Sequence, residues 1–408
     1  FVDNAADNYR LIEAKDYYKY TYATDALGFK YIFDYATQHH QPCVINFSEG
    51  SPQDFRGDDQ LYYELLAGLT GPGRIIVSSA GNDGAKTTYI HKGIDKERAG
   101  TFLRSKSKSF GCTAKSRQPF TFRVSIYNKV ASPKTVDVST VRVCSSKDSL
   151  LTDSVLVDGK MYKWSVLAFP NSYNRQETAY DLRLSCKQRL GDNPKVSLQI
   201  VGRDADVELY RTSGEMFTDV LDPALNAGDC SRTVFSPSSS PDVISVGATG
   251  YRTRFINYLN EKKVYNNGTN GVRTPFSAMG PTFDGRIKPD VMAPGQNIIS
   301  SYSSFYINNT HREDGPVKND LKSDIRRFKY NGRTYSWNAN AGTSMSAPVV
   351  TGAIALWLQA DPTLTTADCM DIFAKTCTHY DLSLSYPNNL YGYGQIDVEA
   401  GLREVLRR

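Results

Sequence analysis

Near one end of the chain, two short runs are hydrophobic at almost every position. Residues 43–50 (CVINFSEG) and 74–84 (RIIVSSAGNDG) each begin as such a run and end in a loop that contains glycine. Between them, residues 58–73 carry apolar side chains at helical spacing. Strands that are apolar on both sides are typical of a parallel sheet covered by helices. The pattern therefore predicts a strand, helix, strand unit whose loops lie at the carboxyl ends of the strands, where such sheets place their sites.

The middle of the chain has a different pattern. Residues 120–127 (FTFRVSIY) and 195–201 (KVSLQIV) alternate in the manner of half-buried strands, and no helical run competes with them. We expect an inserted antiparallel β-domain, either a sandwich or a jelly roll. The predicted domains are a first core part at 1–92, the insert at 93–232 and a second core part at 233–408. The role of the insert stays open between substrate gating, an exosite and stabilisation of the fold.

Composition excludes several classes of protein. The 408 residues can bury two cores, and 40% hydrophobic with 22% charged residues is ordinary for a globular protein. No apolar run has the length of a membrane helix, and no signal peptide is visible. The formal charge of +5 is small, and no basic tract with interleaved aromatics predicts nucleic-acid binding. We expect neither a membrane-spanning segment nor a nucleic-acid partner.

Seven cysteines leave at least one without a partner in the chain. Four lie in or at the edge of the insert and suit two disulfide bonds in an oxidising compartment: Cys112, Cys144, Cys186 and Cys230. They lack the close pairs of a zinc site. Cys369 and Cys377 lie on a predicted helix about 12 Å apart, which is too far for a disulfide bond.

The segment Gly342 to Pro348 (GTSMSAP) carries the main chemical signal. An apolar run at helical spacing continues it to Ala360, so Ser344 is predicted to lie at a helix N-terminus. There its backbone N–H points outward and the helix dipole favours an anion. A serine nucleophile needs an exposed position, a neighbouring base and donors for the developing oxyanion. The segment predicts a nucleophilic Ser344.

The same segment resembles the surround of the nucleophilic serine in the subtilisin-like serine proteases, the subtilases. The resemblance implies that the side chain of Asn82, in the Ala-Gly-Asn-x-Gly segment, donates to the oxyanion together with the backbone N–H of Ser344. Further segments resemble the family in chain order: 243–249 (VISVGAT), 276–281 (FSAMGP), 284–295 (DGRIKPDVMAPG) and 393–398 (YGQIDV). The insert is similar to that of clostridial Csp-type germination proteases. An α/β fold with a subtilisin-like parallel-sheet core and an inserted β-domain is therefore expected.

The base and the orienting acid of the family are missing from this sequence. In subtilisin the order along the chain is Asp, His, Ser. None of the five histidines (His39, His40, His91, His311 and His379) lies in the family's histidine segment, and no Asp has the expected neighbours. The chain starts with Phe1-Val2-Asp3, which resembles the residues just after that segment. We expect an N-terminal segment or chain to supply both groups, to cover the faces of strands 43–47 and 74–78, and to be required for activity.

The resemblance implies a serine endopeptidase that acts through an acyl-enzyme on a peptide or protein substrate. Ser48, Gly50 and Gly81 are expected to bind an extended peptide, while Glu49 stands at the pocket rim in place of an apolar residue. No cofactor and no metal ligand are expected, although the family is compatible with structural calcium. We expect an extracellular or cell-envelope location (periplasm or cell surface). The alternative is a catalytically inactive scaffold whose β-insert binds a glycan or a protein.

Overall fold

The computed structural model describes residues 22–57, 59–106, 108–128, 132–172, 174–265, 269–308 and 321–408. These residues form two compact units. The first unit is drawn from Phe1–Gln53, Asp59–Ala85 and Thr233–Arg408, and the second from Asp54–Asp58 and Lys86–Arg232. The second unit thus starts at Lys86 rather than at residue 93, and it includes a short piece of the predicted first core part. Phe1 to Asp3 and His311 lie outside the described residues.

The bounds of the elements follow in chain order. The helices are α1 (Tyr22–Gln38), α2 (Asp59–Leu69), α3 (Thr140–Cys144), α4 (Ser304–Asn308), α5 (Thr343–Ala360), α6 (Thr366–Thr376) and α7 (Val398–Val405), with single 3₁₀ turns at Lys147–Ser149 and Leu321–Ser323. The strands are β1 (Cys43–Phe47), β2 (Ser51–Pro52), β3 (Arg74–Ser79), β4 (Tyr89–Lys92), β5 (Arg98–Arg104), β6 (Ser109–Ser116), β7 (Thr121–Tyr127), β8 (Lys134–Ser139), β9 (Leu150–Val157), β10 (Lys160–Pro170), β11 (Thr178–Cys186), β12 (Lys195–Val201), β13 (Val207–Ser213), β14 (Glu215–Phe217), β15 (Gly228–Asp229), β16 (Phe235–Ser236), β17 (Val243–Thr249), β18 (Arg254–Ile256), β19 (Lys262–Val264), β20 (Val291–Pro294), β21 (Ile298–Tyr302), β22 (Asp324–Tyr330) and β23 (Arg333–Asn340).

The first unit is built on a four-stranded parallel sheet in the order β1, β3, β17, β20. Helix α2 connects β1 to β3, as the hydrophobic pattern predicted. Strand β17 is buried at every position, because helices lie on both faces of the sheet. The carboxyl ends of β1 and β3 therefore open at the same edge of the sheet, where the sequence had placed its two loops.

Successive residues of β3 pack into different hydrophobic cores. Ile75 and Val77 pack with Trp357 of α5, while Ile76 packs on the other face with Phe33 of α1 and Leu66 of α2. Both Ile75 and Ile76 are fully buried. The expectation that the faces of β1 and β3 would stay uncovered is therefore wrong, because described helices cover them. In the part of the chain that the structure describes, β1 pairs only with β3, so its outer edge is the open one.

The second unit is an antiparallel β-sandwich. Its sheets have seven strands in the order β15, β4, β13, β6, β11, β10, β9 and five strands in the order β14, β5, β12, β7, β8. One core contains Phe110 and Leu182 from the larger sheet and Phe122 and Leu198 from the smaller. The predicted combination of an α/β core with an antiparallel β-domain is confirmed. The sequence missed the contribution of Phe55, whose ring lies under the ammonium group of Lys115 at 3.6 Å.

All seven cysteines are free thiols in the structure. The two disulfide bonds suggested by the cysteines of the insert are therefore absent. The strand register gives the reason for one pair, since Cys112 lies opposite Leu182 and Cys186 lies opposite Tyr162. Burial raises the pKa of the Cys112 thiol well above its ordinary range. This cysteine therefore behaves as a small apolar core residue.

Among the described residues, no helix combines the length and the apolar character that a bilayer crossing would need.

Candidate active site

Ser344 lies in the first turn of α5, at the carboxyl edge of the parallel sheet. The helix begins after Gly342, whose φ of 152° provides the sharp entry that favours glycine. The N–H of Gly342 donates to the carbonyl of Gly295 at 2.8 Å, which fixes the chain just before the helix. The side chain of Ser344 is half-buried. As predicted, the residue stands where a helix presents free backbone N–H groups and a positive dipole end.

Asn82, in the loop after β3, is bonded to the start of this helix. Its Oδ1 accepts hydrogen bonds from the N–H of Thr343 at 2.9 Å and from the hydroxyl of Thr343 at 3.2 Å. A backbone N–H can only donate, so the carbonyl oxygen of the amide must face the helix and Nδ2 must face away. Asn82 is exposed. Its amide is therefore oriented as a hydrogen-bond donor next to the residue that precedes Ser344.

Thr343 also binds the loop after β3 through a second contact. Its buried hydroxyl accepts a hydrogen bond from the N–H of Gly81 at 3.1 Å while it donates to Asn82. Thr343 is fully buried. Sequence reasoning assigned no position in the site to this residue, although it lies inside the segment that identified Ser344. The only available signal was a hydroxyl beside the nucleophile.

Ser48, in the loop after β1, is bonded to the other side of the helix start. Its hydroxyl donates to the carbonyl oxygen of Ser344 at 2.9 Å. Asn46 donates to the same hydroxyl at 3.0 Å and accepts from Thr351, further along α5, at 3.2 Å. The loops after β1 and β3 are thus both hydrogen-bonded to the first turns of α5. The structure brings Ser48, Gly81, Asn82 and Ser344 together at one edge of the sheet.

Gly50 and Gly81, which are predicted to bind substrate, both lie against the segment around Phe235. A Cβ at Gly81 would come within 2.8 Å of the Phe235 ring, and a Cβ at Gly50 within 2.7 Å of the Ser236 carbonyl oxygen. The carbonyl of Gly81 also accepts from the N–H of Ala278 at 3.0 Å. Both main-chain groups of Gly81 thus take part in internal hydrogen bonds, and the expected role of Gly81 in binding an extended peptide stays a prediction. The sequence analysis missed Phe235, whose side chain lies against both glycines.

A buried ion pair lies at the β17 and β20 side of the sheet. Lys288 Nζ is 2.6 Å from Asp290 Oδ2, which also accepts from the backbone N–H of Ser245 at 2.7 Å. Lys288 donates in addition to the carbonyl of Val243 at 2.8 Å. Burial lowers the pKa of Lys288 and raises the pKa of Asp290, and the opposite charge of each partner counteracts the effect. The pair joins the loop before β20 to β17 and makes no contact with Ser344.

The structure describes four of the five histidines: His39, His40, His91 and His379. None of these side chains forms a hydrogen bond with Ser344. His379 stacks on Tyr386 with ring centroids 3.9 Å apart. His91 belongs to the second unit, where its Nε2 lies 2.7 Å from Asp206 Oδ1, and its side chain is half exposed. Within the described residues, the site therefore contains a candidate nucleophile and a candidate oxyanion donor without a bonded base.

Several proteases are similar to this chain in sequence. Residues 224–394 match the model of the subtilase family. The chain is 30% identical over 174 residues to the serine protease AprX of Bacillus subtilis, with 43% of this chain and 33% of AprX covered. It is 30% identical over 182 residues to the extracellular basic protease of Dichelobacter nodosus, with 44% of this chain and 22% of that protein covered. The matches thus span about a third or less of the length of these two relatives.

The structure is also similar to a solved one. The Clostridium perfringens CspB protease superposes with a TM-score of 0.65 at 17% identity, over 98% of this chain and 74% of that chain. This similarity shows a common fold across both units. Together with the family match over residues 224–394, it shows that the chain has a subtilisin-like fold, as the motifs predicted.

Proposed function

From the relation of this chain to the subtilisin-like serine proteases, we propose that it is the nucleophile-bearing part of a serine endopeptidase. The observation that carries the proposal is the hydrogen-bonded junction of Asn82 with the first turn of α5. It fixes an amide donor relative to Ser344, which is the arrangement that acyl transfer requires. The Ser344 hydroxyl attacks the scissile carbonyl, and the oxyanion accepts from Asn82 Nδ2 and from the N–H of Ser344.

The base and its orienting carboxylate come, in this proposal, from a segment outside these residues. A histidine takes the proton of Ser344 as the C–O bond of the acyl-enzyme forms, then gives it to the leaving amine as the peptide C–N bond breaks. An Asp keeps that histidine in the correct tautomer. Among the described strands none pairs with the outer edge of β1, and this supports the proposal, because such an edge can accept a further strand. We propose that the missing segment pairs there.

The substrate is an extended peptide or protein segment. Ser48 and Gly50 stand in the loop that leaves β1, so this loop and the Phe235 segment form walls for the substrate. Glu49 is exposed in the same loop. Its charge argues against a purely apolar preference at this wall. The chemistry needs no cofactor, and the name of the Dichelobacter relative supports an extracellular or cell-envelope location for this protein as well.

A fluorophosphonate probe, which reacts with activated serines, tests the proposal on the complete gene product. We expect labelling and peptide turnover in the wild type and neither in Ser344→Ala. Ser346→Ala is the matched control, because Ser346 lies on the same helix and its buried hydroxyl has no hydrogen-bond partner among the described residues. Removing such a hydroxyl should be nearly neutral, so this variant should label like the wild type.

The same assay tests where the base lies. Residues 1–408 alone should label slowly, and adding the preceding segment as a separate chain should raise both labelling and turnover. A serine without its base retains only the acceleration that oxyanion binding and positioning provide. Equal turnover by residues 1–408 and by the complete protein would place the base within this chain and would refute this part of the proposal.

A further inference from the structure

The seven-stranded sheet of the second unit carries a groove of about 820 Å³ that crosses β9, β10, β11, β6 and β13. This volume is within the range of roughly 300–1,000 Å³ that is typical of ligand sites. Half of the lining residues are serines and threonines, and Lys163 and Arg183 also line the groove. Three serines, Ser109, Ser165 and Ser185, form part of its floor. The groove is therefore polar and rich in hydroxyl groups.

Strand alternation decides which side chains face the groove. Trp164 and Leu184 point into the sandwich core, and Trp164 is only 7% exposed. Their neighbours Lys163, Ser165 and Arg183 lie on the opposite face of the same strands. The aromatic rings of the lining are thus part of the core and offer no stacking surface to a sugar.

Two cations lie close together in this groove. Lys163 pairs in register with Ser185, and Arg183 pairs with Ser165, so the two charges are diagonal neighbours on adjacent strands. Both side chains are exposed, and neither forms an ion pair within the described residues. The carboxylate of Asp181, the next residue on the same side of β11, accepts from Thr113 and lies near Arg56. Like charges in this position repel each other unless an anion binds between them.

We infer that this groove binds an acidic segment of a protein partner. The planar guanidinium of Arg183 fits a carboxylate with two parallel hydrogen bonds, and Lys163 provides a second positive charge beside it. Hydroxyl groups both donate and accept, as the alternating N–H and C=O groups of a peptide require. Because the site at Ser344 contributes nothing to this argument, the inference stands independently of the proposed peptidase activity.

The charge of the groove favours a peptide over a sulfated polysaccharide. Its lining contains two cations, Lys163 and Arg183, and one carboxylate, Asp153, which leaves a net charge of +1. Polyanions such as heparin bind runs of about five to eight basic residues. A net charge of +1 suits a ligand with a few separated carboxylates instead. An acidic peptide has this property.

The test measures binding to the full chain by fluorescence anisotropy. The probe is a fluorescein-labelled peptide of Gly and Ser with spaced Glu residues, and its partner peptide has Gln at every Glu position. Arg183→Gln should weaken binding of the Glu peptide about tenfold or more, since hydrogen bonds to charged groups have this order of magnitude. Arg142→Gln is the matched control, because Arg142 is exposed on α3 outside the groove. It should bind like the wild type.

A second variant keeps both cations and fills the groove. Ser165→Tyr places a ring opposite Arg183 and should abolish binding, while the thermal transition of the chain shows that the fold is kept. Three results would each overturn the inference. They are equal binding of the Glu and Gln peptides, unchanged binding by both Arg183→Gln and Ser165→Tyr, and binding of dextran sulfate without binding of the acidic peptide.

Discussion

Replacing Thr343 by Val would test how the loop after β3 is held against the nucleophile helix. The exchange keeps the shape and burial of the side chain and removes only its hydroxyl. Gly81 then loses the acceptor of its 3.1 Å hydrogen bond, whereas Asn82 Oδ1 keeps the backbone N–H of Thr343 at 2.9 Å. The variant therefore leaves one buried donor without a partner and loosens the amide of Asn82.

The expected loss follows from these contacts. A buried N–H without an acceptor costs about 1–3 kcal/mol in the free energy of unfolding. Thr343→Ser keeps the hydroxyl and removes one methyl group, which costs about 0.8 kcal/mol. Under the proposed function, the serine variant should also keep the turnover number of the complete gene product. The valine variant should lower kcat with little change in KM, because Asn82, the proposed donor to the oxyanion, is no longer held in one orientation.

Urea unfolding followed by tryptophan fluorescence measures the stability change, and Trp357, which is fully buried on the same helix, reports on the first unit. Asn82→Ala, made in the wild type and in Thr343→Val, completes a double-mutant cycle. We expect a coupling of about 0.5–1.5 kcal/mol between Thr343 and Asn82, because their side chains share a hydrogen bond. Wild-type stability and kcat in Thr343→Val would refute the reasoning, since the hydroxyl would then hold neither loop residue.

Three further predictions concern other contacts. Because Asn82 is the proposed oxyanion donor, Asn82→Ala should lower kcat of the complete gene product about 10²–10³-fold, the usual loss when one such donor is removed, with KM nearly unchanged; a parallel rise in KM would show a binding role instead. Lys288→Met should cost about 3–5 kcal/mol in urea unfolding at neutral pH, because it leaves the Asp290 charge buried without a partner. Burial raises the pKa of Asp290, so this loss should shrink as pH falls and Asp290 becomes protonated, and a pH-independent loss would contradict the assignment. Thr365→Ala should cost about 1 kcal/mol at neutral pH, since Thr365 caps α6 with Asp368. The hydrogen bond from Thr365 lowers the pKa of Asp368, so the part of this difference that depends on the carboxylate should be present above about pH 4 and be lost as pH falls through the lowered pKa; a constant difference down to acid pH would exclude a role for the carboxylate.

Local patterns in the sequence determined the elements that carry the site. The strand, helix, strand unit of β1, α2 and β3 follows from two apolar runs with a helical run between them. The run from Met345 to Ala360 and the glycine before it predicted where α5 begins, because a helix start depends on a few neighbouring residues. The alternation in the middle of the chain predicted an antiparallel β-domain for the same reason.

Only the tertiary structure decided how these elements are bonded to one another. The contact between Asn82 and Thr343 joins residues 261 positions apart, and the contact between Ser48 and Ser344 joins residues 296 positions apart. No local pattern reports which backbone group such a side chain will satisfy. For this reason, nothing in the sequence indicated that both main-chain groups of Gly81 are used internally.

Tertiary packing also decided the boundary of the second unit and the burial of the sheet faces. Phe55 joins the β-sandwich because its ring packs under Lys115, and the faces of β3 are closed because α1 and α5 supply apolar side chains from distant parts of the chain. Burial and hydrogen-bond satisfaction are properties of surfaces that meet only after folding. The sequence could therefore predict a nucleophilic Ser344 and the helix that carries it, whereas the fold had to determine which neighbours hold that helix in place.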